Sequence, residues 1–426
     1  MPEARYRYGG PIDGRTVVRI KSYAVDRIRR RTILLASGEC WTEEYGPDGW
    51  PTLITNGRTR VRIQTEGDLA MDMDFPQLDD LSTEEQSTGA IADEAPKAEK
   101  VCFVGVGQAG CKIADTFWGK GYRRVLLINT TEQDMAGLTC PNRVIMKGAG
   151  QGAGKQRSVG RAAAEAAREE ILRAMTRAFG TDFERIVVCT SGGGGTGSGA
   201  SPVIIEIARQ FCVEMEKPRK VGAIVGGPRK SEGAAVSANH SALLAELHAM
   251  TPTPMILMDN ERIAKLYPTA SVAQFMSIAN QNLCGLYDVF NGLAAQPSPY
   301  STLDPADYRS VLDAGVLVFG MTTVKDAADP TSIAAAVEKN MAGGLLSDSA
   351  KIQHASHAAG VIVASKARLE TLAQTTLDRG FEALNRLIGT PGLVIHTGIY
   401  QGPDSLGDRV LVYCIASGLK WMPESR

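Results

Sequence analysis

Ser191-Gly-Gly-Gly-Gly-Thr-Gly-Ser-Gly-Ala200 decides how this chain is read. It follows an apolar run, Ile186-Val-Val-Cys189, whose β-branching suits a buried strand. It precedes an apolar-periodic stretch from Pro202 to Met215 that suits a helix, with Pro202 expected in its first turn. Glycines let backbone N–H groups close on an anion without Cβ hindrance. The dipole of the following helix adds partial positive charge at the same place. Thr196 and Ser198 add hydroxyl donors. A flexible linker has no reason to sit between a buried strand and an amphipathic helix, so the tract reads as a phosphate-binding turn.

Two more glycine loops lie upstream. Gly105-Val-Gly-Gln-Ala-Gly110 follows the strand Val101-Cys-Phe-Val104 and opens a helix over 111–120. It matches GxGxxG, the dinucleotide fingerprint. A Rossmann NAD-dependent oxidoreductase would place Asp or Glu after the second strand to hold a ribose, whereas Val125-Leu-Leu-Ile128 runs into Asn129-Thr130. Gly148-Ala-Gly-Gln-Gly-Ala-Gly-Lys155 resembles a P-loop, but Ala149 stands where GxxxxGK needs Gly and Gln156 stands where Ser or Thr would bind Mg²⁺. Three such loops at the ends of parallel strands can converge on one polyphosphate, which makes a nucleotide site without a P-loop lysine.

Outward from these loops, strands and helices alternate. Helices are expected over 158–178, 202–215 and 271–290, and strands over 186–189, 221–225 and 255–258. Buried apolar strands between amphipathic helices give an α/β fold with a parallel sheet covered on both faces. Beyond Ala314 the pattern becomes α+β, with strands over 315–321, 360–365, 393–400 and 409–416 and helices over 329–342 and 369–387. Residues 1–76 read as a small β-rich module, with strands over 15–21, 32–36 and 59–64 and a turn at Gly46-Pro-Asp-Gly49. Residues 77–100 have the acidic, apolar-poor composition of a linker. The division is therefore 1–76 accessory module, 77–100 linker, 101–314 nucleotide-binding domain and 315–426 α+β domain.

Composition narrows the class. The 426 residues are 44% hydrophobic and 22% charged, which excludes wholesale disorder. A formal net charge of -1 gives no global field toward nucleic acid or anionic lipid, so no direct nucleic-acid partner is expected. Glycine, at 45, exceeds the roughly 30 expected at a usual share of about 7%, and the surplus sits largely in the loops. No apolar stretch approaches the ~18–20 residues of a transmembrane segment. Met1 to Gly10 lacks the apolar core of a signal peptide. The eight cysteines form no CxxC pair and read as buried thiols in a reducing, cytoplasmic compartment.

Gly193-Gly-Gly-Thr-Gly-Ser-Gly199 reproduces the signature of the tubulin/FtsZ superfamily, and the surrounding order of motifs resembles that family from about Val101 to Leu419. The resemblance implies the tubulin/FtsZ fold, a Rossmann-like GTPase domain followed by an α+β domain. It implies GTP/GDP with Mg²⁺ and head-to-tail assembly of the chain with itself. By resemblance, Gly107, Gln108, Ala109 and Gly110 form the first nucleotide loop and Asn129 ends the second strand. Gly154 and Lys155 lie in the loop approaching the γ-phosphate. Gly193, Gly194, Gly195, Thr196, Gly197 and Ser198 hold phosphates. Glu232, Asn260 and Asn280 contact ribose and guanine, with Met276 where the family stacks an aromatic on the base. In Leu303-Asp-Pro-Ala-Asp-Tyr-Arg-Ser-Val311, Asp304 and Asp307 match the family's catalytic acids, which act on the γ-phosphate held by the next subunit. Asp at a first helical turn is also an N-cap pattern.

Departures are visible too. Thr302 replaces an Asn two residues before the first acid, Val236 stands where FtsZ has Arg, and Met276 replaces the stacking aromatic beside Phe275. The resemblance implies a filament-forming GTPase of cell division or cell-shape control, and these departures motivate, as the alternative, a nucleotide-binding filament scaffold with little hydrolysis, for DNA segregation or phage positioning. The FtsZ tail that recruits membrane tethers has no counterpart after the expected last strand, and the N-terminal module is the candidate recruiting element or a decoration of the filament. His354 and His357 are three apart without a third metal ligand, and His240, His248 and His396 have no acid or cysteine partner at ligand spacing. No metal site is expected from the protein's own side chains.

Overall fold

The computed structural model describes residues 96–148, 152–216, 220–250, 254–342 and 352–419, and the backbone of five strands between 17 and 62. Those strands are β1 (Val17–Val25), β2 (Ile28–Leu35), β3 (Cys40–Tyr45), β4 (Pro51–Thr55) and β5 (Arg60–Arg62). They pair in sequence order as an antiparallel meander. The strands expected over 15–21, 32–36 and 59–64 correspond to β1, β2 and β5, while β3 and β4 go unmarked in the sequence. The turn expected at 46–49 and the linker as far as residue 95 lie outside the described residues. By internal contacts the chain divides into Met1–Met73 and Asp74–Arg426.

The second unit opens with β6 (Val101–Val106), α1 (Gly107–Gly119), β7 (Val125–Asn129) and β8 (Arg143–Ile145). Next come α2 (Arg157–Ala166), α3 (Arg168–Phe179), β9 (Arg185–Ser191), α4 (Gly195–Glu214) and β10 (Lys220–Gly227). They are followed by α5 (Ala234–Ala249), β11 (Met255–Asp259), α6 (Asn260–Leu266), α7 (Val272–Leu293) and α8 (Pro305–Asp313). The last elements are β12 (Val316–Val324), α9 (Ser332–Ala342), β13 (His357–Ala364), α10 (Lys366–Thr371), α11 (Gln374–Ile388), β14 (Val394–Gln401) and β15 (Val410–Leu419).

Ten strands form one sheet in the order β14-β13-β15-β12-β11-β10-β9-β6-β7-β8. From β12 to β8 every pairing is parallel, and β15 is antiparallel to both β12 and β13. Every residue of β6 and of β7 is buried, as expected of strands covered on both faces. The registers Gly226↔Ser191 and Gly227↔Asp259 bring the carboxyl ends of β9, β10 and β11 to one edge. The loops that follow them share that edge.

Three helices differ from the sequence expectation for physical reasons. α4 begins inside the glycine tract, at Gly195, so Pro202 lies within the helix rather than in its first turn. A proline has no N–H for the carbonyl four residues back, here Ser198. That carbonyl accepts instead from Arg157, whose Nε and Nη2 lie 3.3 and 3.1 Å away. The helix expected over 158–178 divides into α2 and α3 at Ala167, where ψ is 5°. Hydrogen bonds from Ala167 N to Ala163 O and from Ile171 N to Ala167 O run across this point, so it is a bend. The helix expected over 369–387 also divides, into α10 and α11, because Leu372 and Ala373 are extended. α5 escapes sequence analysis: only Val236, Leu243, Leu244 and Leu247 are buried along its sixteen residues, too few to mark a periodic face.

α7 spans the unit. Ser271 caps it in a reciprocal box with Gln274. Its 22 residues make it about 33 Å long at 1.5 Å per residue. Near its start, Phe275 lies under the guanidinium of Arg229, just past the carboxyl end of β10. Near its end, Asn291 exchanges hydrogen bonds with the backbone of Glu99, just before β6 begins. The helix therefore runs from the carboxyl edge of the sheet to the amino edge.

Candidate nucleotide site and acid loop

At the carboxyl edge the three glycine loops meet. Gly107 has φ +72°, and a Cβ there would stand 2.9 Å from Gly197 N. The first loop thus closes directly on the signature, with Gln108 exposed and Ala109 half-buried beside it. Gly110 is buried against the Cys189 carbonyl, where an added Cβ would fall on backbone. A Cβ on Gly195 would stand 2.6 Å from Gln156 N, so the loop carrying Gly154 and Lys155 packs against the signature as well. The Lys155 carbonyl accepts from Asn239 Nδ2 at 2.9 Å, and the same amide reaches the Gly193 carbonyl at 3.3 Å. Thr196 Oγ1 lies 2.8 Å from Thr130 Oγ1, and Ser198 Oγ donates to the Gly194 carbonyl at 2.5 Å. Gly194, the N-cap of α4, has nothing within 4 Å of an added Cβ. The convergence thus has an open side at the helix N-terminus, where N–H groups lack intrahelical partners.

Two amide oxygens are orphaned, one just past the carboxyl end of β11 and one on α7. Asn260 Oδ1 and Asn280 Oδ1 are buried without a hydrogen-bond partner, and Asn280 is 5% exposed. A buried acceptor left unpaired costs about 1–3 kcal/mol, so a ligand bearing N–H or O–H donors fits here. Met276 is half-buried next to the buried Phe275. Asn129 is engaged within the protein: its Oδ1 accepts from Thr130 N at 2.8 Å and its Nδ2 donates to Asp134 at 3.3 Å. Glu232 folds back on its own turn and accepts from Arg229 N at 2.8 Å. Glycine cradle, open N-terminus and orphaned amides together suit a nucleotide.

The acid loop lies at the other edge. Asp304 is the N-cap of α8, its Oδ1 accepting from Ala306 N and Asp307 N at 2.8 Å each. Arg309, halfway along α8, reaches the Ala98 carbonyl at 3.1 Å. Asp313, at its end, pairs with Arg185 at 2.8 Å and with Lys220, at the amino ends of β9 and β10. Arg185 and Glu99 are nearly fully buried together, 2.7 Å apart, and anchor this edge. The helix that carries Asp304 and Asp307 thus ends at the amino edge, whereas the glycine loops of the same chain lie at the carboxyl edge, with α7 running between the two edges.

Several residues here carry no local sequence signal. Val236, where the family resemblance leads to a cation, is buried against Gly193. His240 packs beneath Gly192 with its Nδ1 unpartnered, and burial pushes its pKa down to about 4. His396, which has no acid partner by sequence spacing, lies 3.1 Å from Asp307. Contacts across such separations in sequence are invisible to spacing. His357 hydrogen-bonds Ser356, and among the described residues no group of three or more His, Cys, Asp or Glu gathers as a metal site. The seven described cysteines are free and buried, as expected, and burial pushes the Cys111 thiol up to about 12.

Comparison with known proteins gives consistent relatives. The family model described as "Tubulin/FtsZ family, GTPase domain" matches residues 100–268. "Cell division protein FtsZ 1" of Archaeoglobus fulgidus is 30% identical over 225 residues, covering 51% of this chain and 57% of the relative. "Cell division protein FtsZ" of Mycoplasmopsis pulmonis is 29% identical over 326 residues, covering 74% of this chain and 76% of the relative. The chain thus spans a little over half the length of the archaeal relative and about three quarters of the bacterial one. Among solved structures, a protofilament of TubZ from Bacillus thuringiensis serovar israelensis superposes with a TM-score of 0.67 at 19% identity, over 78% of this chain and 90% of that one. CetZ1 from Haloferax volcanii, a GDP-bound monomer, gives 0.61 at 22% identity, over 76% and 96%. Glycine signature, loop geometry and these relatives agree: the chain carries the GTPase domain of the tubulin/FtsZ family.

Proposed function

We propose that this chain binds GTP in the glycine loops, assembles head to tail with copies of itself, and hydrolyses the nucleotide where two copies meet. The carrying observation is the separation of the two half-sites along α7, about 33 Å of helix between the phosphate loops and the acid loop. A head-to-tail contact joins the acid loop of one copy to the phosphates held by the next. No copy then hydrolyses alone.

In this reading the N–H groups of residues 193–197 and the Thr196 hydroxyl hold the phosphates, Ser198 braces the turn through its bond to the Gly194 carbonyl, and Gly107, Gln108, Ala109, Gly110, Gly154 and Lys155 close round them. Asn260 and Asn280 accept from ribose and base, Asn129 and Glu232 brace the loops beside them, and Met276 packs on the base. The 2-amino and N1–H donors of guanine suit the orphaned amide oxygens. Mg²⁺, a hard cation, would be held by the substrate phosphates and water and would offset their charge. Asp304 and Asp307 position and polarise the attacking water, a contribution worth typically 10²–10⁴-fold in rate. Capping of α8 by Asp304 does not exclude this role, because the cap engages one carboxylate oxygen and the residue is exposed.

One observation favours the slower-scaffold alternative. Thr302, in place of the family's Asn, is turned onto its own loop, accepting from Ser298 N at 3.0 Å. Phosphate release and light scattering across protein concentration separate the readings. Turnover per molecule that rises steeply at the onset of scattering supports the composite site. Turnover strictly proportional to concentration, without an assembly onset, contradicts it. Assembly with GTP but negligible phosphate release favours the scaffold.

A further inference from the structure

One strand holds the whole acid loop. β14 is the edge strand of the sheet, and Ser301 pairs with it in an isolated antiparallel bridge, Ile399 N donating to the Ser301 carbonyl at 2.8 Å. Tyr400 Oη accepts from Leu303 N at 2.9 Å, one residue before the first acid. His396 completes the set from the same strand. Its Nδ1 lies 3.1 Å from Asp307 Oδ1, and its Nε2 lies 3.1 Å from Ser310 Oγ, one turn further along α8.

The polarity of these bonds is constrained. An ionised carboxylate only accepts, so the hydrogen of this contact sits on His396 Nδ1. Ser310 Oγ lies within hydrogen-bond distance of both His396 Nε2 and the Asp307 carbonyl, the latter at 2.8 Å, and its single hydrogen serves one of these two acceptors at a time, so either way Ser310 is tied to the same cluster. The imidazole is held at both nitrogens and its side chain is only 16% exposed, against 35% for Asp307. It cannot swing out to substrate without abandoning both partners. Its effect is on Asp307: with Oδ1 occupied, the second carboxylate oxygen is the one left to face outward.

We propose that His396 is a positioning residue of the hydrolytic reaction, fixing the orientation of the Asp307 carboxylate so that its free oxygen meets the water beside the neighbouring copy's phosphate. This rests on the hydrolytic reading above and adds to it a residue from the far end of the chain. Five strands stand between β14 and β9 in the sheet, so nucleotide binding by the same copy is expected not to depend on His396.

The test is steady-state GTP turnover above the assembly threshold for wild type, Asp307→Ala, His396→Ala, His396→Asn and the double variant. His396→Ala is expected to lower kcat about 10- to 100-fold, the usual consequence of a misplaced reacting group, with KM changed by less than about twofold. His396→Asn places an amide N–H near the position of Nδ1 and is expected to recover kcat to within about threefold of wild type. The double variant is expected to be no slower than Asp307→Ala alone, since the two residues act as a unit. A normal Asp307 dependence with His396→Ala at wild-type kcat overturns the positioning role alone. So does an additive loss in the double variant, or an Asn variant as slow as the Ala variant. Equal turnover in wild type and Asp307→Ala, at whatever rate, overturns the hydrolytic reading and the positioning role with it.

Discussion

The glycine-loop end and the acid-loop end are built in opposite ways. The glycine-loop end, where we propose the nucleotide binds, is made of backbone: glycines that let loops close on one another, a helix N-terminus left open at Gly194, and few side chains that reach far. The acid end is made of side chains pinned from a distance, with Asp304 spent on its own helix and Asp307, Ser310 and Leu303 held by β14 roughly ninety residues later in the chain. A backbone cradle tolerates no added atoms where loops touch. A side-chain array tolerates isosteric exchange but not loss of a hydrogen-bonding group.

Substitutions can break or sharpen this contrast, beginning with the largest effect. Asp304→Asn keeps a capping oxygen but removes the charge. It is expected to leave unfolding stability within about 0.5 kcal/mol while lowering turnover about 10²–10⁴-fold, as read by phosphate release. Asp304→Ala is expected to lose turnover and, in addition, about 1 kcal/mol of stability in urea unfolding. Turnover retained by the Asn variant would mean that the residue only caps.

At the other end, Gly110→Ala drives a methyl group onto the Cys189 carbonyl, and a loss of at least about 3 kcal/mol is expected in the same unfolding measurement. A stability near wild type would show that the first loop has room the close packing denies.

The histidine beneath the signature loop predicts a pH dependence. Burial lowers the His240 pKa to about 4, from an ordinary value near 6.5 in the unfolded chain. Between those values the unfolded state binds the extra proton, so this contribution is full above about pH 6.5 and is lost as pH falls toward 4. The loss amounts to up to about 3 kcal/mol at 1.36 kcal/mol per unit. Urea midpoints of wild type and His240→Gln at pH 7 and pH 5 measure it: the variant should lack most of the slope, and identical slopes would remove His240 as its source.

The smallest effect expected is at Asn280. Replacing the orphaned amide with Leu is expected to leave the nucleotide-free protein as stable as wild type or slightly more so, and to weaken guanine nucleotide binding about tenfold, by calorimetric titration. Unchanged affinity would mean that the orphaned oxygen does not await the base.

Legibility in the sequence follows the same contrast. The parallel sheet and its loops were readable because each element is local: β6, β7 and β9 are short apolar runs, and each glycine loop follows its strand directly. Asp304 and Asp307 were readable by resemblance, since they lie three residues apart. Their setting was not. His396, Tyr400 and Ser301 come together only because β14 forms an edge that a loop about ninety residues earlier can join. Arg157 stands in for a helical N–H only because Pro202 lies inside α4, which the sequence suggests opens that helix. His240 and Asn239 sit on α5, whose few buried positions give no periodic signal.

A mixing experiment tests the composite site most directly. Gly194→Val puts a branched side chain into the open space at the α4 N-terminus, disabling the phosphate end while leaving the acids intact. Asp304→Asn disables the acid end while leaving the glycine loops intact. Each alone should turn GTP over far more slowly than wild type. An equimolar mixture should recover a substantial fraction of wild-type turnover, because one copy's nucleotide then meets the other copy's acids. Turnover in the mixture equal to the mean of the two separate variants, with both chains present in the same filaments, would contradict a site shared between copies.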